Sequence, residues 1–145
     1  MNISVKSYDE LKPDERQAIA RLRFKYGIIE SCLDDAKYNA EFSPKLKPCT
    51  KIIIARNTKA VLGWALYTPE AATWEELCKC KRLKNYYLQI YVAKKHRRKG
   101  IGTAIINEAK KRAKRLKHQV LVCPHDHASS TVFSMHKELK AHPDW

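Results

Sequence analysis

The sequence predicts an α/β domain with the element order β-α-α-β-β-β-α-β-α. Three observations carry that prediction. Ile52-Ile53-Ile54-Ala55 and Val61-Leu62-Gly63-Trp64-Ala65-Leu66-Tyr67 flank the polar Arg56-Asn57-Thr58-Lys59, the pattern of a β-hairpin. Tyr87-Leu88-Gln89-Ile90-Tyr91-Val92-Ala93 is an apolar extended segment, followed by a stretch in which Ile101, Ile105, Ala109, Ala113 and Leu116 recur at helical spacing. Gln119-Val120-Leu121-Val122-Cys123 is a short apolar run that reads as a buried strand ended by Pro124.

The remaining elements follow in order. Ile3 and Val5 alternate with Ser4 and Lys6, which predicts a first strand. Pro13 followed by Asp14 and Glu15 starts a helix with its acids at the positive end of the dipole, and Ile19, Leu22 and Tyr26 continue it until Gly27. Ser31 with Asp34 three residues on caps a second helix that runs to about Phe42, where Ser43-Pro44 stops it. Thr68 and Pro69 close the hairpin, residues 70–85 form a polar connection, and a last helix spans about Ser129 to Leu139. The basic residues of the 101–116 helix face away from the sheet. With 145 residues and 44% hydrophobic content, residues 1–145 are expected to form one domain. No hydrophobic run reaches the length of a signal peptide or a membrane span, so a cytoplasmic protein is expected.

Charge is distributed unevenly. The formal net charge is +14; residues 94–117 hold eleven Lys or Arg against Glu108 alone, while residues 1–43 hold seven bases against eight acids. Within the basic region lies Arg97-Arg98-Lys99-Gly100-Ile101-Gly102-Thr103, between the extended segment and the helix. A basic, glycine-containing turn at a helix N-terminus holds phosphate: its N–H groups converge on an anion, and glycine lets the backbone approach closely. The spacing fits neither a Walker loop nor a dinucleotide fingerprint, which would require a third glycine where Ile105 stands.

Arg97, two residues, Gly100, one residue and Gly102 resemble the acyl-CoA pyrophosphate loop of the GNAT N-acetyltransferase superfamily. In that resemblance Leu88 to Val92 corresponds to the family's fourth strand and the helix from Ile101 to its third helix. The resemblance implies a mixed, mainly antiparallel sheet flanked by helices, with the fourth and fifth strands splayed around the pantetheine arm. It implies that acetyl-CoA is the cosubstrate. Arg97, Arg98, Lys99, Gly100, Ile101, Gly102 and Thr103 would hold its diphosphate, and the backbone of Ile90, Tyr91 and Val92 its pantetheine amides and thioester carbonyl. The implied reaction is direct transfer of acetyl to an amine, with no metal.

That reaction needs a base for the ammonium and an acid for the departing thiolate. Many relatives carry a carboxylate on the fourth strand, but Tyr87, Gln89 and Tyr91 supply none here, so Glu30, Asp34 and Asp35 are the substitutes. Relatives often place a protonating tyrosine on the last helix. Here Phe133 or Ser134 stands in its place and His127 in that of a preceding asparagine, which leaves Ser134 and His136 as candidate catalysts, or as ordinary helix residues. Cys123 could form an acyl-enzyme or simply pack in the core. His125-Asp126-His127, with His118 or His136, could ligate metal or form a polar loop, and Cys78-Lys79-Cys80 is too tight for a CxxC pair.

Lys140 to Trp145 are too few for the family's two final strands, which implies an open acceptor groove suited to a protein or a wall supplied by a second copy in a homodimer. The basic surface disfavours small cationic acceptors. The competing reading is a non-catalytic GNAT-like module that binds nucleic acid or an acidic partner through residues 94–117.

Overall fold

The computed structural model describes residues 1–25, 50–70, 84–122 and 140–141. Six strands form a single sheet in sequential order: β1 (Asn2–Lys6), β2 (Lys51–Arg56), β3 (Val61–Glu70), β4 (Asn85–Val92), β5 (Gln119–Val122) and β6 (Lys140–Ala141). The pairs from β1 to β4 are antiparallel, and those of β4 with β5 and β5 with β6 are parallel. Helix α1 (Pro13–Lys25) packs on β3 and β4, and helix α2 (Ile101–Leu116) packs across β2 to β5. The sheet is therefore mixed and mainly antiparallel.

Local sequence explains the hairpin. The Asn57 carboxamide oxygen accepts the N–H groups of Lys59 at 2.8 Å and Ala60 at 2.7 Å, so the side chain itself templates the reversal. Contrary to the expected closure at Thr68 and Pro69, β3 continues to Glu70. Its last described pair with β2 is Lys51↔Tyr67, whereas its pairing with β4 runs on to Glu70↔Asn85. Beyond the β2 ladder a strand needs no donor on that side, and proline is tolerated there.

Helix α2 has the expected bounds and buries Ile101, Gly102, Ile105, Ile106, Ala109 and Ala113 against Ile53, Ala65, Leu88, Ile90 and Val120. Each fully buried Ile side chain contributes about 1.5–3 kcal/mol. Leu116, expected on this stripe, is 49% exposed, because the helix ends there and Lys117 turns left-handed at φ 57°. The outward orientation expected of the basic residues holds for Lys111, Lys114 and Arg115, but Arg112 is half-buried. A second correction concerns the chain end: Lys140–Ala141 pair in parallel with Leu121 and Val122, a short strand absent from the expected order. Two residues carry no pattern of their own, so only their partner strand defines them.

The predicted helix ends at Gly27, the second helix to Phe42, the 70–85 connection beyond its first and last residues, and the last helix lie outside the described residues.

Candidate active site

The described parallel ladder of β4 with β5 runs from Asn85↔Gln119 to Leu88↔Val122, and β4 itself continues through Gln89, Ile90, Tyr91 and Val92 toward the basic turn. Side chains alternate across β4. Leu88 and Ile90 are buried in the α2 core, and Tyr91 points to the opposite face, where it stacks on Trp64 with ring centroids 4.2 Å apart. The Tyr91 hydroxyl makes a long, 3.5 Å contact to Gln89 Oε1. Two large rings thus hold β4 just before the basic turn. The Trp64 indole N–H is buried without a hydrogen-bond partner among the described residues.

Past Val92 the chain makes a 3-10 turn at Lys94–His96, fastened by the His96 N–H to the Ala93 carbonyl at 2.8 Å. Arg97 folds back, donating from Nε to the Val92 carbonyl at 3.0 Å. This commits part of its guanidinium to bracing the turn against β4. Arg98 at φ 62° and Gly100 at φ 79° are both left-handed. For a non-glycine residue this conformation costs about 1–2 kcal/mol, and it clusters where a backbone must aim its N–H groups.

Gly100 is the N-cap of α2 and supplies no side-chain cap. Its carbonyl takes the first helical bond, from the Ala104 N–H at 2.9 Å. The N–H groups of Ile101, Gly102 and Thr103 belong to the first turn, which has no intrahelical acceptor to offer them. Converging donors, the positive end of a 16-residue helix and the exposed Arg98 and Lys99 suit a diphosphate. The structure thus brings Ile90 to Thr103 into one continuous strand, turn and helix start.

Beside the turn, on the α1 side, a groove of about 690 Å³ opens between Asp14, Gln17, Lys59, Lys94, Lys95 and His96. Burial, reinforced by repulsion from Lys95 and Lys99, holds the His96 imidazole below its ordinary 6.5. The lysines make this groove better suited to an anionic than a cationic group.

Two polar clusters gave no local signal in the sequence. Glu15 is fully buried; its carboxylate accepts from Lys6 Nζ at 2.9 Å, Arg56 Nη1 at 3.0 Å and the Lys12 N–H at 2.9 Å. Burial pushes this carboxyl up, but the Lys12 N–H, Lys6 and Arg56 together outweigh it and hold the group below its ordinary value. Glu15 is thereby committed as a structural counter-ion. In the second cluster, Tyr67 stacks on Tyr86 at 4.7 Å and His118 lies over Tyr86 at 4.3 Å. Burial, with Arg112 adding repulsion, brings His118 down to about 4, and burial, with Tyr86 adding to it, raises Tyr67 well above 10. The Tyr67 hydroxyl and His118 Nε2 are hydrogen-bonded to each other. Nε2 of the ring considered above as a metal ligand is engaged by this contact.

Ser134, His136, Cys123, His125, Asp126, His127, Glu30, Asp34 and Asp35 lie outside the described residues. Among the described residues no three His, Cys, Asp or Glu side chains group as a metal site, and no helix is long and apolar enough to cross a membrane.

The acetyltransferase (GNAT) family model matches residues 11–134. No curated protein sequence matches the chain. Among solved structures, a ribosomal-protein-alanine N-acetyltransferase from Brucella melitensis biovar Abortus 2308 superposes with a TM-score of 0.64 at 19% identity, covering 99% of this chain and 93% of that one. A second ribosomal-protein-alanine N-acetyltransferase from Brucella melitensis gives 0.66 at 16% identity, covering 95% and 83%. An aminoglycoside 6'-N-acetyltransferase complexed with coenzyme A gives 0.60 at 17% identity, covering 84% and 61%. At these identities the superpositions establish the fold, and the family match over most of the chain establishes the rest: this protein belongs to the GNAT acetyltransferases and is an acyltransferase.

Proposed function

We propose that this protein transfers the acetyl group of acetyl-CoA directly to an amine of a protein. The observation that carries this reading is the continuity of β4 with the turn: a strand that runs on to Val92 leads straight into left-handed Arg98 and Gly100 and a helix start without a side-chain cap. In this reading the N–H groups of residues 98–103, with Arg98 and Lys99, hold the diphosphate, and Arg97 braces the turn through Val92. In the same reading the backbone of Ile90, Tyr91 and Val92 bonds the pantetheine amides and the thioester carbonyl. Acetyl-CoA supplies the activated acetyl group.

An amine is protonated at neutral pH, so a base must take its proton. Gln89 and Tyr91 bring no carboxylate to β4, and Glu15 is held by three donors. The base is therefore assigned to Glu30, Asp34 or Asp35, and protonation of the leaving sulfur to Ser134 or His136. A protein acceptor is supported by the two neighbours named as acting on ribosomal-protein alanine. The positive field of the molecule also repels polyamines.

Calorimetry with acetyl-CoA and with free coenzyme A tests the first half. Saturable binding of both, abolished by Gly102→Val, is expected; no heat from either overturns the reading. Transfer assays comparing peptides bearing a free N-terminus, lysine-containing peptides and polyamines test the second half, and turnover confined to polyamines would refute a protein acceptor.

A further inference from the structure

Part of the positive charge lies away from the candidate diphosphate site. Lys111, Lys114 and Arg115 are exposed on the side of α2 opposite its buried stripe, Lys117 is exposed just beyond, and exposed Lys84 sits at the helix foot, where its carbonyl accepts the Gln119 N–H at 2.7 Å. Among the described residues no carboxylate lies within ion-pair distance of Lys111, Lys114, Arg115 or Lys117. A solvated helix face usually mixes signs, because like charges four residues apart repel by a few tenths of a kcal/mol. Here Lys111 with Arg115 repeats that repulsion, partly offset by the helix C-terminus.

We propose that the outer face of α2, formed by Lys111, Lys114, Arg115 and Lys117 with Lys84 at its foot, docks the phosphate backbone of a nucleic-acid duplex. Lys111 to Lys117 span about 9 Å of helix axis at 1.5 Å per residue, a length over which a duplex carries about five phosphate charges. The face has no aromatic anchor, unlike the centre of a protein interface. The absence of aromatic residues from α2 also argues against a single strand, which is bound by stacking its bases. Contacts to phosphate alone make the binding sequence-independent.

The test is fluorescence anisotropy of labelled DNA and RNA duplexes of about two helical turns, titrated at several salt concentrations, with polyglutamate as competitor. Four to five phosphate contacts at about −0.9 each predict a slope of log affinity against log salt near −4, a loss of about 250-fold between 50 and 200 mM salt. K111Q/K114Q/R115Q should flatten the slope by about 2.7 while its circular dichroism and its acetyl-CoA calorimetry stay those of the parent. The duplex bound more tightly, DNA or RNA, identifies the source of the phosphates. Absence of salt-dependent duplex binding, a slope unchanged in the triple variant, or tighter binding of polyglutamate than of either duplex would overturn the proposal. The calorimetry keeps such a failure separate from that of the acetyl-transfer reading.

Discussion

Gly63→Ala tests whether the packing of β3 sets the position of the turn proposed to hold the coenzyme. A Cβ at Gly63 would lie 3.0 Å from Ile101 Cγ2, 3.1 Å from Val92 Cγ2 and 3.2 Å from the Tyr91 carbonyl oxygen. Ordinary contact begins near 3.4 Å, so three atoms must give way by a few tenths of an ångström, and the carbonyl belongs to a paired strand. Overpacking of this kind costs about 1–3 kcal/mol, offset by about 0.5–1 kcal/mol from replacing a strand glycine. The net loss is about 0.5–2 kcal/mol, or roughly 1–8 °C in Tm at about 2–4 °C per kcal/mol. Ile101 is the first residue of α2 and Val92 the acceptor of Arg97, so relief of the clash displaces both ends of the turn. Losing about one hydrogen bond's worth of alignment weakens acetyl-CoA binding by about 5–10-fold. Thermal denaturation and calorimetry measure the two effects. Val5→Ala, which trims the far strand of the same core by a comparable amount, serves as the control. If Gly63→Ala loses stability with no more effect on coenzyme affinity than Val5→Ala, the coupling argument is wrong.

Three further outcomes are expected. Gly102→Val places a branched side chain in the buried first turn of α2 and should abolish coenzyme binding by calorimetry while far-UV circular dichroism still reports a folded chain. Glu15→Gln leaves Lys6 and Arg56 without their shared counter-ion and should cost about 2–4 kcal/mol in urea denaturation, somewhat less than a fully buried pair because both cations are partly exposed. The Glu15 carboxyl sits below its ordinary 4.5, so its contribution is present above that pH and disappears as pH falls through the lower folded value. His118 is depressed from 6.5 to about 4, so the unfolded chain binds its proton first and stability falls as pH drops from about 6.5 toward 4. That gap sets a ceiling of about 3.4 kcal/mol, which screening of the half-buried ring reduces to about 1–2 kcal/mol. His118→Asn should flatten the profile in that window while leaving the steeper loss below pH 4.5.

The sequence made most of the sheet legible because its signals there are local. The hairpin is written in the alternation on either side of Asn57, and α2 in the four-residue recurrence from Ile101 to Ala113. The turn proposed for the coenzyme is readable for the same reason: strand end, basic turn and helix start are contiguous. What escaped depends on residues distant in the chain. Glu15 reads as a helix-start acid, and only the approach of Arg56, 41 positions later, makes it a buried counter-ion. Gly63 looks like an ordinary interruption of a strand until Ile101 is packed over it. Tyr67, Tyr86 and His118 come from three elements, and β6 exists only through its pairing with β5.

The Tyr67, Tyr86 and His118 cluster also bears on the site, although it lies at the other end of β4. The parallel ladder of β4 with β5 covers four residue pairs, and parallel pairing is slightly weaker per residue than antiparallel. Side-chain contacts next to so short a described ladder help to hold its strands together. Tyr86 is in the second pair of that ladder, and His118 immediately precedes its first residue on β5. The Tyr67 hydroxyl, held by the neutral imidazole, ties both to β3. On the opposite face the Trp64 and Tyr91 stack fixes β4 beyond the ladder. The two aromatic clusters therefore hold β4 on both faces, one along the ladder and one next to the basic turn, an arrangement that would preorganise the proposed coenzyme-binding segment Ile90 to Val92. On that argument Tyr86→Ala, far from the turn, should weaken acetyl-CoA binding as well as stability, whereas Ile3→Ala, at the far edge of the sheet, should reduce stability alone; equal affinity loss in both would show that global destabilisation, not the clamp, governs the site.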